Sequence, residues 1–284
     1  MRSKKLTREL LHSRLLPRRN DSHKGDYGHL LIVAGCQTMP GAAVLAAGAA
    51  LKSGCGLVTL HSTDRALQAA VNLFPSAMLS EDPGKCFSAI PLPLSRYSAI
   101  AAGPGLGQAP VTVTALADLM ENARQAGTPT VLDADALNLI AAHPELLDLI
   151  PEGSILTPHL GELRRLIPDL TDANLDERAG ELSAQTGAVL VVKGYRTRIF
   201  VPDGSGFVNT TGNPGMAKGG SGDVLTGLMG GLLARGYSAV DAACLGVWIH
   251  GYAGDVLSAR CTAEAYSSRD LIDELWTGFD VIAR

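Results

Sequence analysis

Aromatic side chains are scarce in this sequence, 5% of 284 residues. Broad stacking surfaces are therefore not its main resource, and abundant alanine and glycine favour close helix–sheet packing instead. The formal charge is only -4, which gives no overall attraction to nucleic acid or to an anionic membrane. Five cysteines (Cys36, Cys55, Cys86, Cys244 and Cys261) are an odd number without a CxxC pair. That argues against a disulfide framework and a zinc cluster, and leaves free thiols in a reducing compartment. No apolar run reaches the ~18 residues of a membrane helix. Neither a GxxxxGKS/T phosphate loop nor a GxGxxG turn after a first strand is present. The expectation is a soluble cytoplasmic protein.

Hydrophobic residues make up 46% of the chain, enough for a substantial core. Charge gathers at the start, where residues 1–24 hold eight Lys or Arg against two acids. With no continuous apolar stretch and no small-residue cleavage site, this segment reads as a surface helix with an ordered lead-in rather than a secretory signal.

Short apolar runs alternate with helical stretches. "HLLIVAG" (29–35) reads as a buried strand, followed by an alanine-rich helix capped at Gly54 and a second strand at 57–61. The unit recurs with strands within 98–107, 129–137, 153–159 and 188–194. Beyond Lys193, "TRIFVPDG" and "GFVNTTG" read as an antiparallel hairpin. Helices are expected over 221–235, 239–259 and 268–282. Together these imply one α/β domain over 1–284, with a largely parallel central sheet and helices on both faces. In such sheets ligands bind at the carboxyl ends of the strands, and there the glycine and polar clusters fall.

The densest cluster lies in residues 212–236, with nine glycines around Asp223. Gly219, Gly220 and Gly222, with Ser221 between them, let backbone N–H groups converge at the start of a helix, a seat for phosphate. Asp223 there is either a general base or an N-cap. In "LTPHLGE", Thr157, His159 and Glu162 stand at a strand end. Glu162 suits a magnesium ion held through water, or the group caps a helix. Lys193, with Arg196 and Arg198 close behind, follows a buried strand as a phosphate partner or a solvated terminus. Asp133 and Asp135 fall on one side of an extended segment, where they order metal or ribose, or cap the next helix.

Taken in order, "SHKGDYGHLLIVAG", "MPGAAVLAA", "AAGPGLG", "VLDADALN", "LTPHLGE" and "GNPGMAKGGSGDVLTG" resemble the NAD(P)H-hydrate dehydratases, which are similar to the C-terminal half of the YjeF-type repair proteins. The resemblance covers nearly the whole chain. It implies a ribokinase-like three-layer α/β/α fold and repair of hydrated NADH or NADPH, in which a nucleotide phosphorylates the C6 hydroxyl and loss of phosphate restores the ring. Asp223 would be the base, and Ala42, Gly105, His159 and Asp223 would contact the S-epimer of the hydrated cofactor. Lys193, Gly194, Tyr195, Arg196, Thr197 and Gly222 would contact ADP, converted to AMP and phosphate. Residues Gly219, Gly220, Ser221 and Gly222 would form the anion hole, with Mg²⁺ near Glu162. Single-domain bacterial relatives use ADP and eukaryotic ones ATP. The resemblance further implies a homotetramer and, with no room for an epimerase domain before His23, a separate epimerase. The "GGSGD" motif alone is shared with ribokinase-like vitamin-precursor kinases, such as those acting on hydroxyethylthiazole. It would also suit a catalytically silent nucleotide-binding module.

Overall fold

The structure is a computed structural model and describes residues 3–284. Its strands are β1 (Ser3–Lys5), β2 (His29–Val33), β3 (Leu57–Ser62), β4 (Met78–Glu81), β5 (Ala99–Ala102), β6 (Thr130–Leu132), β7 (Ile155–Leu156), β8 (Val189–Val192), β9 (Arg198–Phe200) and β10 (Gly206–Val208). The helices are α1 (Arg8–His12), α2 (Pro40–Leu51), α3 (Asp64–Leu73), α4 (Pro110–Ala126), α5 (Asp135–Ala142), α6 (Leu160–Leu166), α7 (Leu175–Thr186), α8 (Ser221–Ala234), α9 (Ala239–Arg260) and α10 (Ser268–Ala283).

All ten strands form one sheet in the order β1-β10-β9-β8-β7-β6-β5-β2-β3-β4. Pairing is parallel except where β9 meets β8 and β10, the hairpin expected from "TRIFVPDG" and "GFVNTTG". Because side chains alternate along a strand, β2 sends Leu30 and Ile32 to one face and Leu31 and Val33 to the other. The first face is covered by α1, α2, α3, α8, α9 and α10, the second by α4 to α7. This is the expected three-layer α/β/α architecture. The chain runs outward from β2 through β3 to β4, then returns to place β5 on the other side of β2. In open α/β sheets ligands bind at the carboxyl ends of the strands near such a reversal.

Glycine governs how closely α8 approaches the rest. A Cβ on Gly227 would lie 2.0 Å from the Ala46 carbonyl oxygen, and one on Gly231 would lie 2.0 Å from Ser53 Oγ. The helix thus packs backbone to backbone on α2, which fixes the position of its N-terminus.

Two expectations need correction. The basic N-terminal segment contains a short strand as well as a helix: Ser3–Lys5 pairs in parallel with Gly206–Val208. Its basic side chains pack rather than only coat the surface, with the Arg14 guanidinium over the Phe207 ring and paired with Asp241. Met1 and Arg2, the first residues of that segment, lie outside the described residues. Gly54 is not the cap of α2, since Lys52 and Ser53 turn back onto Ala49 and Ala50 and the helix closes at Leu51. Gly54 follows with φ +86°, completing the turn instead.

Candidate active site

Strands β6, β7 and β8 end side by side and deliver Asp133, His159 and Lys193 to one edge of the sheet. Lys193 Nζ donates to Asp133 Oδ1 at 2.6 Å and lies 3.9 Å from Glu162 Oε2. Asp133, only 1% exposed, takes a second bond on Oδ2 from the Thr226 hydroxyl of α8 at 2.7 Å. One buried carboxylate therefore ties the sheet to the second turn of α8. Burial works against the Lys193 charge, but the carboxylates of Asp133, Glu162 and Asp223 outweigh it and hold its pKa above the ordinary value.

The expectation that Asp133 and Asp135 share a side does not hold. Strand β6 stops at Leu132, and Ala134 adopts φ +49°, a conformation uncommon for a residue with a side chain. The alternation breaks there. Asp133 turns to Lys193, while Asp135 accepts from the Gly107 N–H and the Gln108 amide, bracing the loop after β5.

His159 is the N-cap of α6. Its Nδ1 accepts from the N–H groups of Gly161 and Glu162, while its own N–H donates to Glu162 Oε2 at 2.9 Å. The ring proton is thereby placed on Nε2, which points to Glu162 Oε1 at 3.3 Å. The capping reading of this cluster is right in kind, but the cap is His159; Thr157 is buried and donates to the Leu132 carbonyl. Glu162 is 5% exposed and already engaged on one oxygen. Among the described residues, no group of three or more His, Cys, Asp or Glu forms a metal cage. Such a donor set suits a magnesium ion that keeps its waters and rests mainly on substrate phosphates.

Opposite stands the N-terminus of α8. Its N-cap is Gly220, at φ +89°, where a Cβ would meet the Leu45 side chain at 2.4 Å. Asp223 is therefore not the cap: it is the third helical residue, and its carboxylate has no hydrogen-bond donor among the described residues. Burial first, then the Asp133 charge, push its pKa up to about 6 despite the nearby Lys193 ammonium. The N–H groups of Gly219, Gly220, Gly222 and Asp223 find no protein acceptor among the described residues, whereas that of Ser221 donates to Lys218 O. These free donors, with the helix dipole behind them, make an anion seat. Gly222 is small for a reason: its Cβ would approach Lys193 Nζ at 3.3 Å and Asp133 Oδ2 at 3.6 Å.

Between these walls lies a cleft of about 860 Å³. It brings together His159, Glu162, Lys193 to Thr197, Gly219 and Ser221 to Asp223. The loop after β8 overhangs it: Tyr195 is 83% exposed, and Arg196, at φ +61°, stacks on Tyr195 and donates to the Thr210 carbonyl. Arg198 is elsewhere: it opens β9 and pairs with Asp176 of α7 rather than lining the cleft. Ala42 and Gly105 are also outside it. They meet each other where α2 packs on the loop after β5, and a Gly105 Cβ would lie 3.0 Å from that of Ala42.

Four lining residues were not singled out from the sequence: Lys218, Asn213, Gly212 and His250. Lys218 lines the cleft, but its ammonium is held by the carbonyls of Ala263 and Tyr266. Asn213 and Gly212 are fastened to Asp255 of α9, which shapes the wall formed by residues 212–218. His250 of α9 is 8% exposed at the floor of the cleft and bonds to the Ser221 hydroxyl. "GNPG" flagged the wall; nothing local flags a single histidine inside an apolar helix.

The NAD(P)H-hydrate dehydratase family matches residues 30–276. An ADP-dependent (S)-NAD(P)H-hydrate dehydratase of Neisseria meningitidis is 40% identical over 246 residues, covering 84% of this chain and 80% of the relative. A bifunctional NAD(P)H-hydrate repair enzyme of Moorella thermoacetica is 40% identical over 274 residues, covering 92% of this chain and 51% of the relative. The chain thus spans about half the length of that bifunctional protein. The crystal structure of a Bacillus subtilis ADP/ATP-dependent NAD(P)H-hydrate dehydratase, co-crystallized with ATP/Mg²⁺, superimposes with a TM-score of 0.87 at 33% identity, covering 99% of each chain.

Proposed function

The chain belongs to the NAD(P)H-hydrate dehydratase family, and from that premise we propose that it restores the S-epimer of hydrated NADH or NADPH at the expense of ADP. The observation that carries this reading is Asp223: a half-buried carboxylate, its pKa raised to about 6, with no hydrogen-bond donor among the described residues and beside backbone N–H groups that find no acceptor among them. A carboxylate at a phosphate seat repels substrate unless it takes a proton there.

In the reaction Asp223 accepts the proton of the C6 hydroxyl as that oxygen attacks the terminal phosphorus of ADP, and AMP leaves. The C6–O bond then breaks with its electron pair on phosphate, the ring nitrogen supplies electrons, and loss of the C5 proton completes the dihydropyridine. Hydroxide is a poor leaving group and phosphate a good one, which is why the nucleotide is consumed. Gly219, Gly220, Ser221 and Gly222 form the anion hole for charge developing on the transferred phosphoryl. Lys193, Gly194, Tyr195, Arg196, Thr197 and Gly222 hold the nucleotide. Ala42, Gly105 and His159 bound the ring. Mg²⁺ would be held by the nucleotide phosphates with Glu162 reaching it through water, and it offsets phosphate charge. A homotetrameric assembly, a cytoplasmic setting and a separate epimerase that converts the other epimer belong to the same proposal.

The test mixes purified protein, hydrated NADPH, Mg²⁺ and either ADP or ATP, and follows the near-ultraviolet absorbance of the restored dihydronicotinamide. A rise with ADP is expected. No rise with either nucleotide in folded protein rejects the reading and turns attention to the vitamin-precursor kinase substrates.

His159→Ala is expected to raise KM for the hydrated cofactor at least about fivefold while changing KM for nucleotide little, since the half-exposed ring lines the cleft on the side proposed for the cofactor. The reverse pattern would put His159 on the nucleotide side. Loss of its capping bonds also costs about 1 kcal/mol, visible in thermal unfolding.

A further inference from the structure

We propose that His250 is a positioning residue whose Nε2–H donates to the Ser221 hydroxyl, turning the hydroxyl proton toward the terminal phosphate of the bound nucleotide. This rests on the nucleotide reading of the cleft. Ser221 is the first residue of α8, and its backbone N–H is already given to Lys218 O at 3.3 Å. Its hydroxyl is therefore the only donor it can offer an anion.

A hydroxyl carries one proton, which can go to His250 or to phosphate but not to both. The two groups lie 3.3 Å apart. If the hydroxyl donated to the ring, its lone pairs would face the phosphate and repel it. If the ring donates from Nε2, the proton is free for the anion, so a phosphate in the seat selects that tautomer. His250 N–H, Ser221 O–H and phosphate then form a chain of donors all oriented one way, each strengthening the next.

The surroundings suit this role. Burial, helped by the Lys193 ammonium, pushes the His250 pKa down to about 4, so the ring stays uncharged near neutrality. It contributes a directed N–H without adding a buried charge. Its backbone is also held in place: the next residue, Gly251, packs so closely on Thr211 that a Cβ would lie 2.3 Å from Oγ1. On the other side Ile249 is fully buried.

Calorimetric titration with ADP and with AMP, both in Mg²⁺, tests the relay without needing turnover. AMP lacks the phosphate that the relay addresses, so a merely structural role would weaken both ligands alike. His250→Ala and Ser221→Ala are each expected to weaken ADP about tenfold, the loss of one charge-assisted bond, and to leave AMP within about twofold. The double variant should be no weaker than either single one, because the two groups act as a unit. His250→Gln, which keeps an N–H donor, should recover most of the affinity. Additive losses, equal weakening of ADP and AMP, or unchanged ADP affinity would each overturn the relay. A wild type that binds ADP yet fails to restore hydrated NADPH would overturn the repair reading and leave the relay standing.

Discussion

Asp223→Asn is expected to lower turnover of hydrated NADPH by about 10³-fold while ADP binding persists, because removing a general base costs roughly that much and the anion seat is built from backbone N–H groups and the Ser221 hydroxyl, not from the carboxylate. Near-normal turnover in this variant would sink the assignment of the base. The pH profile gives a second reading. Asp223 works as a base only when ionised, and its pKa is raised to about 6. The kcat/KM of the wild type should therefore be level well above that value and fall about tenfold per pH unit below it.

Stability should move the opposite way. A carboxylate whose pKa is raised by the fold is destabilising while ionised, at pH above the folded value. That penalty fades as pH falls through about 6 toward the ordinary 3.8, below which the group is protonated in both states. Asp223→Asn should thus melt several degrees higher than the wild type at pH 8, with the gap closing at pH 4. A variant less stable at pH 8 would show that the carboxylate is held by favourable contacts instead.

Lys193→Met carries the other large effect. It removes the ammonium from Asp133, leaving a buried carboxylate with the Thr226 hydroxyl as its remaining side-chain donor. Breaking such a pair costs about 3–5 kcal/mol, chiefly the stranded charge. Converting Asp133 to Asn in the same chain should return most of that stability, since no charge is then left unmatched, but it should not return ADP affinity. Thermal unfolding of the single and double variants reads the first part, and calorimetry the second. A single variant as stable as wild type would mean that the pair contributes nothing to the fold.

Much of this site was legible because its chemistry sits at strand ends marked by glycine. "LTPHLGE", "VVKGYRT" and "KGGSGD" each announced a turn and each lines the cleft. Legibility failed where partners are distant or local signals absent. The bond from Thr226 to Asp133 joins positions 93 residues apart, and no spacing rule reaches that far. His250 sits among buried neighbours in α9 and reads as one more core position. Strand β1 is Ser-Lys-Lys, polar and short, and it exists because the edge of β10 offers backbone partners rather than because its own residues favour extension. The divergence of Asp133 and Asp135 depended on one alanine at positive φ, which composition does not announce.

The tie between Asp133, Lys193 and Thr226 has a consequence for the order in which a working protein comes into being. During synthesis from the N-terminus, Asp133 emerges first and Lys193 follows 60 residues later. The helix that carries Thr226, the glycine turn and Asp223 comes after both. A nascent chain that has produced the whole parallel portion of the sheet still has no seat for phosphate. On the proposed reading, nucleotide would engage only chains whose last third has docked, and by mass action it would hold those chains folded. The ligand in effect inspects the finished article, rewarding completed chains and ignoring those still being made.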